Sequence, residues 1–407
     1  MRFIILILCG IISPTMGSLV DSNTRFAVDV LKMLHKENPK QNVITSPFSV
    51  SAALSMVLYG AKKNTAAQME KVLHIDKITG SGKGDSPGAG AVCDKPGGPH
   101  SQFKTLLSAI NTHTKNYALS VANRIYGAKR FEFEQQYLRC TKELYGAELE
   151  RVDFQHALEE TRKKINAWVE KRTNNKIKGL FAPGAIDESA ALILVNAIYF
   201  QGKWQRAFNK TNTQEKPFWI SENQSKKVPM MYQKHKFNWA EIKNPKIKLL
   251  ELPYDNKDLS MIILLPEDKG GLDQVVKGLS YDKVQEWTRS SNMKEEKIEV
   301  YLPKFKLEGK YALGGTLGNM GMTDVFTPGK ADLSGMSKSS LVVSKVIHQA
   351  FIEVNEEGTE AAAATGVEVV PVSARIYPKV VADRPFLFFI RHNKSQSILF
   401  SGTVVSP

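Results

Sequence analysis

The chain predicts an α+β fold in a single domain. Helical apolar spacing dominates its first 172 residues, and short strand-like runs dominate from residue 190 onward. No internal repeat divides it, and 42% hydrophobic with 24% charged residues suits a globular chain of 407 residues.

From Asp21 to Asn38, Phe26, Val30, Met33 and Leu34 recur at helical spacing until Asn38-Pro39 stops them. Ser46-Pro47 then caps and opens FSVSAALSMVLYG, a helix apolar nearly all round and so expected at the centre. Asn64 is placed to cap a further helix, TAAQMEKVLH. Seven glycines and three prolines between Thr79 and Pro99 break the pattern and predict a surface loop that carries Cys93.

Helix resumes over about 102–115. Alternation over 117–126 predicts a strand, and helices follow near 133–145 and 157–172, the latter with Ile165, Trp168 and Val169 inward. AALILVNAIYFQ at 190–201 is a continuous apolar run, read as a central strand covered on both faces. Short strands PFWI, VPMMYQ, KFNWAEI, LLELPY and SMIILLP follow up to residue 266. The last third holds a helical segment near 272–289, a strand at 297–301, a glycine-rich turn region at 309–335, and a strand at 341–355. Two closing strands, 385–391 and 397–405, are joined by the turn HNKS.

Between the last long strand and the closing pair lies FIEVNEEGTEAAAATGVEVVPVSAR, Phe351 to Arg375. Alanine favours helix, yet the segment has no apolar stripe for a core to use. Read with a period of two, Thr359, Ala361, Ala363, Thr365, Val367 and Val369 share one face, and Glu360 and Glu368 both fall on the other. The first face is uncharged and small near its start, so it can enter a sheet interior without burying a lone carboxylate.

Arg2, the apolar run Phe3–Ile12 and the small residues Thr15 and Gly17 predict a secretory leader over residues 1–17, and hence an extracellular protein over 18–407. No later run is long enough to span a bilayer. Loss of Cys9 with the leader would leave Cys93 and Cys140, either as one disulfide or as two independent thiols. Sequons at Asn209, Asn223 and Asn393 read as exposed glycosylation positions.

The formal charge of +14 favours acidic surfaces or sulfated polysaccharide. It concentrates between Lys226 and Lys248, where seven lysines face one acid, Glu241. Arg162, Lys163, Lys164, Lys171 and Arg172 crowd another segment and read as a solvated helix face. No RNA-reading signature or zinc-finger spacing accompanies them, so no nucleic-acid partner is expected. The sequence has no G-x-S-x-G elbow, H-E-x-x-H pair or phosphate loop, and no enzyme activity, cofactor or metal is expected.

Four segments together carry a likeness: SPFSVSAALSMVLYGA at Ser46–Ala61, NAIYFQGKW at Asn196–Trp204, EEGTEAAAAT at Glu356–Thr365, and DRPFLFFIRHNKSQSILFSGTVVSP at Asp383–Pro407. In this order they resemble the serpin family of serine protease inhibitors, with wording similar to arthropod members, those of ticks above all. The resemblance implies a monomer of one domain, with three β-sheets, eight to nine helices and an exposed reactive loop over about 356–378. A serine protease cuts that loop, is trapped as the acyl-enzyme, and is carried across the molecule as the loop inserts into the central sheet.

By this resemblance the hinge is Glu356, Glu357, Gly358, Thr359, Glu360, Ala361, Ala362, Ala363, Ala364 and Thr365. Family spacing from Gly358 puts the scissile bond at Val372–Ser373, with an elastase-like target. The alternative is Arg375–Ile376, with a trypsin-like target. Asn196 and His348 correspond to a polar pair that gates sheet opening, and Trp204 to the tryptophan where insertion begins. Lys104 and Lys115 lie where some relatives bind heparin, and Lys226, Lys227, Lys234 and Lys236 are an equal candidate. A non-inhibitory serpin acting as a carrier is the other reading.

Overall fold

The computed structural model describes residues 18–79, 92–110, 117–357 and 376–407. The proposed leader, most of the glycine-rich loop, Lys115 and the reactive loop from Gly358 to Arg375 lie outside the described residues.

The chain runs α1 (Leu19–Glu37), β1 (Val43–Thr45), α2 (Pro47–Gly60), α3 (Lys63–Val72), α4 (Asp76–Thr79), α5 (Pro99–Ile110), β2 (Tyr117–Ala128), α6 (Gln135–Tyr145), β3 (Leu149–Val152) and α7 (Leu158–Arg172). There follow β4 (Leu192–Gly202), β5 (Gln214–Trp219), β6 (Ser225–Lys243), β7 (Lys246–Pro253), β8 (Leu259–Pro266), α8 (Leu272–Gly278), α9 (Tyr281–Thr288), β9 (Lys294–Pro303), β10 (Phe305–Ala312), α10 (Gly314–Asn319), β11 (Val343–Val354), β12 (Lys379–Val381), β13 (Phe386–His392) and β14 (Ser397–Val404). The described residues thus hold ten helices, two of them of six residues or fewer.

Five strands form the central sheet, in the order β10-β11-β4-β2-β3. One face packs on the main core through Leu192, Leu194, Ile198 and Phe200. Ile193, Val195 and Ala197 face a second core beneath α7, with Ile165 and Val169. That two-sided burial explains why β4 reads as a continuous apolar run.

The remaining strands run β1-β14-β13-β8-β7-β6-β9-β12, with β5 paired to β6. The 19-residue β6 belongs to two sheets: its C-terminal end pairs with β7 and its N-terminal end with β5. Divided there, the fold has three sheets.

Three details differ from the sequence reading. VPMMYQ and KFNWAEI are one strand, because β9 pairs with β6 without a break from Met230 to Trp239. The turn expected from residue 309 holds β10, with Gly309 inside it. A Cβ there would sit 2.6 Å from the Ile44 carbonyl oxygen, so the glycine marks close approach of β1 and not a turn. Asn64 lies inside α3, where its amide donates to Asp324 at 2.5 Å, and Lys62 takes the cap position.

Cys93 and Cys140 are joined by a disulfide with Cα atoms 5.3 Å apart, and they pack with Leu144 in a small cluster on α6. No helix of the described residues is long and apolar enough to cross a membrane.

Candidate functional site

The site lies where β11 leaves the central sheet. β11 and β4 run parallel side by side, from Val343 opposite Leu192 to Ile352 opposite Phe200. A chain leaving the end of β11 and folding back between them would be antiparallel to both. It would replace one parallel ladder with two antiparallel ones, the slightly stronger pairing.

Holding β4 to β11 is a cross-strand polar row. Asn123 of β2 is opposite Asn196 of β4, which is opposite His348 of β11. The Ser46 N–H, at the N-cap of α2, donates to His348 Nε2 at 3.1 Å. Nε2 is therefore the acceptor, and Nδ1 donates to Asn196 Oδ1. The Asn196 amide in turn donates to Ser49 Oγ at 2.5 Å and to Asn123. Each such neutral bond is worth about 1 kcal/mol net, so the row can part without a prohibitive cost.

His348 is fully buried, and burial, outweighing its bond to Asn196, pushes its pKa down from 6.5 to about 3. The native ring stays neutral where the unfolded chain binds a proton. Stability is therefore present above pH 6.5 and is lost as the pH falls toward about 3. At pH 5 the loss should be about 2 kcal/mol. Partly buried His100, lowered to about 4 by desolvation first, acts in the same direction. His348→Gln should accordingly flatten, without abolishing, the fall in melting temperature between pH 7.5 and pH 5. An unchanged slope would remove His348 from the account.

At the mouth of the β4–β11 seam, Trp204 stacks on Tyr254 with ring centroids 4.5 Å apart, and its indole N–H donates to the Asn355 carbonyl at 2.9 Å. Phe208 N–H donates to the Glu356 carbonyl at 2.8 Å. The Glu356 carboxylate is buried. It accepts from Thr213 Oγ1 at 2.8 Å and pairs with Lys304 at 2.9 Å. Burial pushes its pKa up, but the bonds from Lys304, its own backbone and Thr213 outweigh that and leave it lowered. Glu357 pairs with Lys210. The last two residues before the loop are thus fastened by charge, one of them at depth. Beyond the loop, Ile376 is 96% exposed.

The family model of serpins, serine protease inhibitors, matches residues 21–407. The chain belongs to the serpin family. This serpin is 48% identical over 396 residues to human serpin B11, and 45% identical over 399 residues to porcine leukocyte elastase inhibitor. Each match covers 96% of this chain and all of the relative. Uncleaved ovalbumin superposes with a TM-score of 0.85 at 39% identity, and a loop-inserted, cleaved arginine-to-threonine mutant of ovalbumin with 0.84 at 38%. Both matches cover 96% of this chain and all of the other. The homologues are protease inhibitors, not enzymes, and serpins target serine proteases.

The relatives correct one expectation. A secreted, extracellular glycoprotein with a leader was expected, but human serpins B11, B4 and B3, matched over their full length, belong to a group that is mainly intracellular. The leader reading rested on Arg2, the short apolar run Phe3–Ile12 and the small residues Thr15 and Gly17, a composition that a short apolar segment can share without being a leader.

The sequons lose their premise with it. Asn209 caps a short turn and accepts from Thr211, and Asn223 is exposed. The Asn393 amide is engaged with Lys257 and Ser260, both at 2.8 Å.

The structure brings Asn196 and His348 together and sets Trp204, Glu356 and Glu357 at the seam mouth. Hinge residues Gly358 to Thr365, with Val372, Ser373 and Arg375, lie outside the described residues. Of the first of the two alternative heparin candidates, Lys115 lies outside the described residues. Lys104 pairs with Glu143 on α6 at 3.1 Å, Lys226 reaches the Pro407 oxygen, and exposed Lys227, Lys234 and Lys236 lie along β6. Sequence reasoning missed Ser46, Ser49 and Asn123 in the polar row, and Thr213, Lys304 and Lys210 around Glu356 and Glu357. Their partners lie up to 302 residues away, and no local pattern announces them.

Proposed function

We propose that this serpin is a suicide-substrate inhibitor of serine proteases that traps the acyl-enzyme by inserting its reactive loop between β4 and β11. The observation that carries the reading is the parallel β4–β11 seam, closed by one polar row, with the loop leaving directly from the end of β11. The small, uncharged face from Thr359 to Val369 supports it, because that face can be buried as a strand. The loop-inserted ovalbumin mutant supports the capacity of a related fold to take the extra strand. The narrower likeness to arthropod, tick-like serpins belongs to the same reading and rests on segment wording alone.

The scissile bond is Val372–Ser373, cut by an elastase-like protease. Arg375–Ile376 is the second reading, favoured by the exposure of Ile376. Incubation with elastase-like and trypsin-like proteases should give a complex that survives boiling in detergent. Mass spectrometry of the released C-terminal peptide should show Ser373 at its new end. Ile376 there would move the cut to the second bond. Cleavage without complex by every protease would favour a carrier or other non-inhibitory role.

A further inference from the structure

Two of the basic residues that composition located on β6, Lys234 and Lys236, share one face of the strand, beside the segment that follows the reactive loop. The β6–β9 register sets Tyr232 opposite Tyr301, Lys234 opposite Glu299, and Lys236 opposite Lys297. β12, which follows the loop, sets Lys379 beside Glu299. Lys234 lies 3.8 Å over the Tyr377 ring, with Lys297 at 5.9 Å, and Lys216 lies 4.5 Å over Tyr301. Lys248 donates to the Lys379 carbonyl at 3.1 Å.

Lys379 and Lys234 hold Glu299 at 3.0 and 3.9 Å, and Lys216, Lys236, Lys248 and Lys297 lie at neighbouring positions of these and the adjoining strands. Glu295, opposite Asn238, ends the row. The Tyr377 and Tyr301 rings hold the ammonium groups of Lys234 and Lys216 against this face. This is a face that gains from an incoming anion.

Its position says which anion. Val372 lies four positions before Ile376, a reach of about 14 Å at most. A protease roughly 40 Å across, seated on the scissile bond, must overhang Tyr377 and the lysines beside it. We propose that this face is a docking surface for target proteases that carry acidic residues on the rim of the active-site cleft, on the side that receives the chain after the cut. The proposal rests on the inhibitory reading and adds selection of the target by charge to selection by the residue before the cut. Such a face acts mainly on the association rate, through attraction that salt screens.

The test compares association rates with pairs of trypsins and pairs of elastases that share a cleavage preference and differ in net charge. Toward the anionic member, the wild-type protein should react at least about tenfold faster in about 0.05 M salt than in about 0.5 M, with no such gain toward the cationic member. The variant carrying Lys234→Gln, Lys297→Gln and Lys379→Gln should lose most of that gain while forming the same detergent-stable complex. Lys216→Gln alone, away from the Glu299 pairs, should lose part of it.

Equal rates and salt slopes for wild type and variants would overturn the proposal. Unchanged rates with lost retention on a heparin column would overturn it as well, and would give the face to sulfated polysaccharide. If the wild type forms no complex with any protease, the inhibitory reading fails. Equilibrium binding of the same anionic enzymes, with their catalytic serine blocked, then decides the docking surface separately: salt-sensitive binding that the triple variant loses upholds it, and its absence overturns it.

Discussion

Glu356→Lys should destabilise the uncut protein by about 3 kcal/mol and drive it toward self-association. The wild-type carboxylate is buried between Thr213 and Lys304, and removing one partner of a buried ion pair costs about 3–5 kcal/mol because the other charge is left unpaired. Lys304 is 39% exposed, so the lower end of that range applies. Reversal adds repulsion between a buried ammonium group and the partly exposed one of Lys304. The strain falls on the residue that fastens the end of β11, so the reactive loop should be freed at its hinge and the seam mouth opened. Urea unfolding and light scattering at 37 °C measure the two effects. Glu356→Gln should show a smaller loss, since an amide oxygen can still accept from Thr213. Wild-type stability in the lysine variant would show that the Glu356–Lys304 pair acts as a surface pair of no consequence.

Thr359→Arg should convert the inhibitor into a substrate. Thr359 is the first residue of the small, uncharged face, and in the proposed mechanism its side chain is the first to enter the sheet. A guanidinium buried there without a partner costs several kcal/mol. Insertion would then lag behind hydrolysis of the acyl-enzyme, and complex yield should fall at least about tenfold while the loop is still cut. Titration of protease activity against inhibitor reads the change as a steep rise in the moles of inhibitor consumed per mole of enzyme. Undiminished complex with Thr359→Arg would mean that the loop does not insert from this end.

The fold was legible where burial is two-sided or spacing is strict. β4 could be read because both of its faces are covered, and α2 because a serine cap and a proline open a helix that is apolar all round. β10 was lost because a glycine demanded by the close approach of β1 looks the same in sequence as a glycine demanded by a turn. β6 was split because Met230 and Met231 are both buried, which interrupts its alternation.

The polar row between β2, β4 and β11 was half legible. Asn196 and His348 came from family wording, whereas Ser46, the residue whose N–H fixes the tautomer of His348, had been assigned only a capping role. The partners of Glu356 and Glu357 were not legible, because Lys304, Thr213 and Lys210 are ordinary surface residues until the fold brings them there. The lysine face had been seen only as a charge run along β6. Lys297 and Lys379 join it through strand pairing alone.

The central claim is that the loop becomes a strand of the central sheet once it is cut. The most direct measurement is the melting temperature before and after cleavage of the loop by a protease that is not trapped. Insertion between β4 and β11 should raise it sharply, because the cut chain gains two antiparallel ladders and loses its strained state. Thr359→Arg, cut in the same way, should show a smaller rise or none. A cleaved wild-type protein that melts where the intact one does would contradict the account.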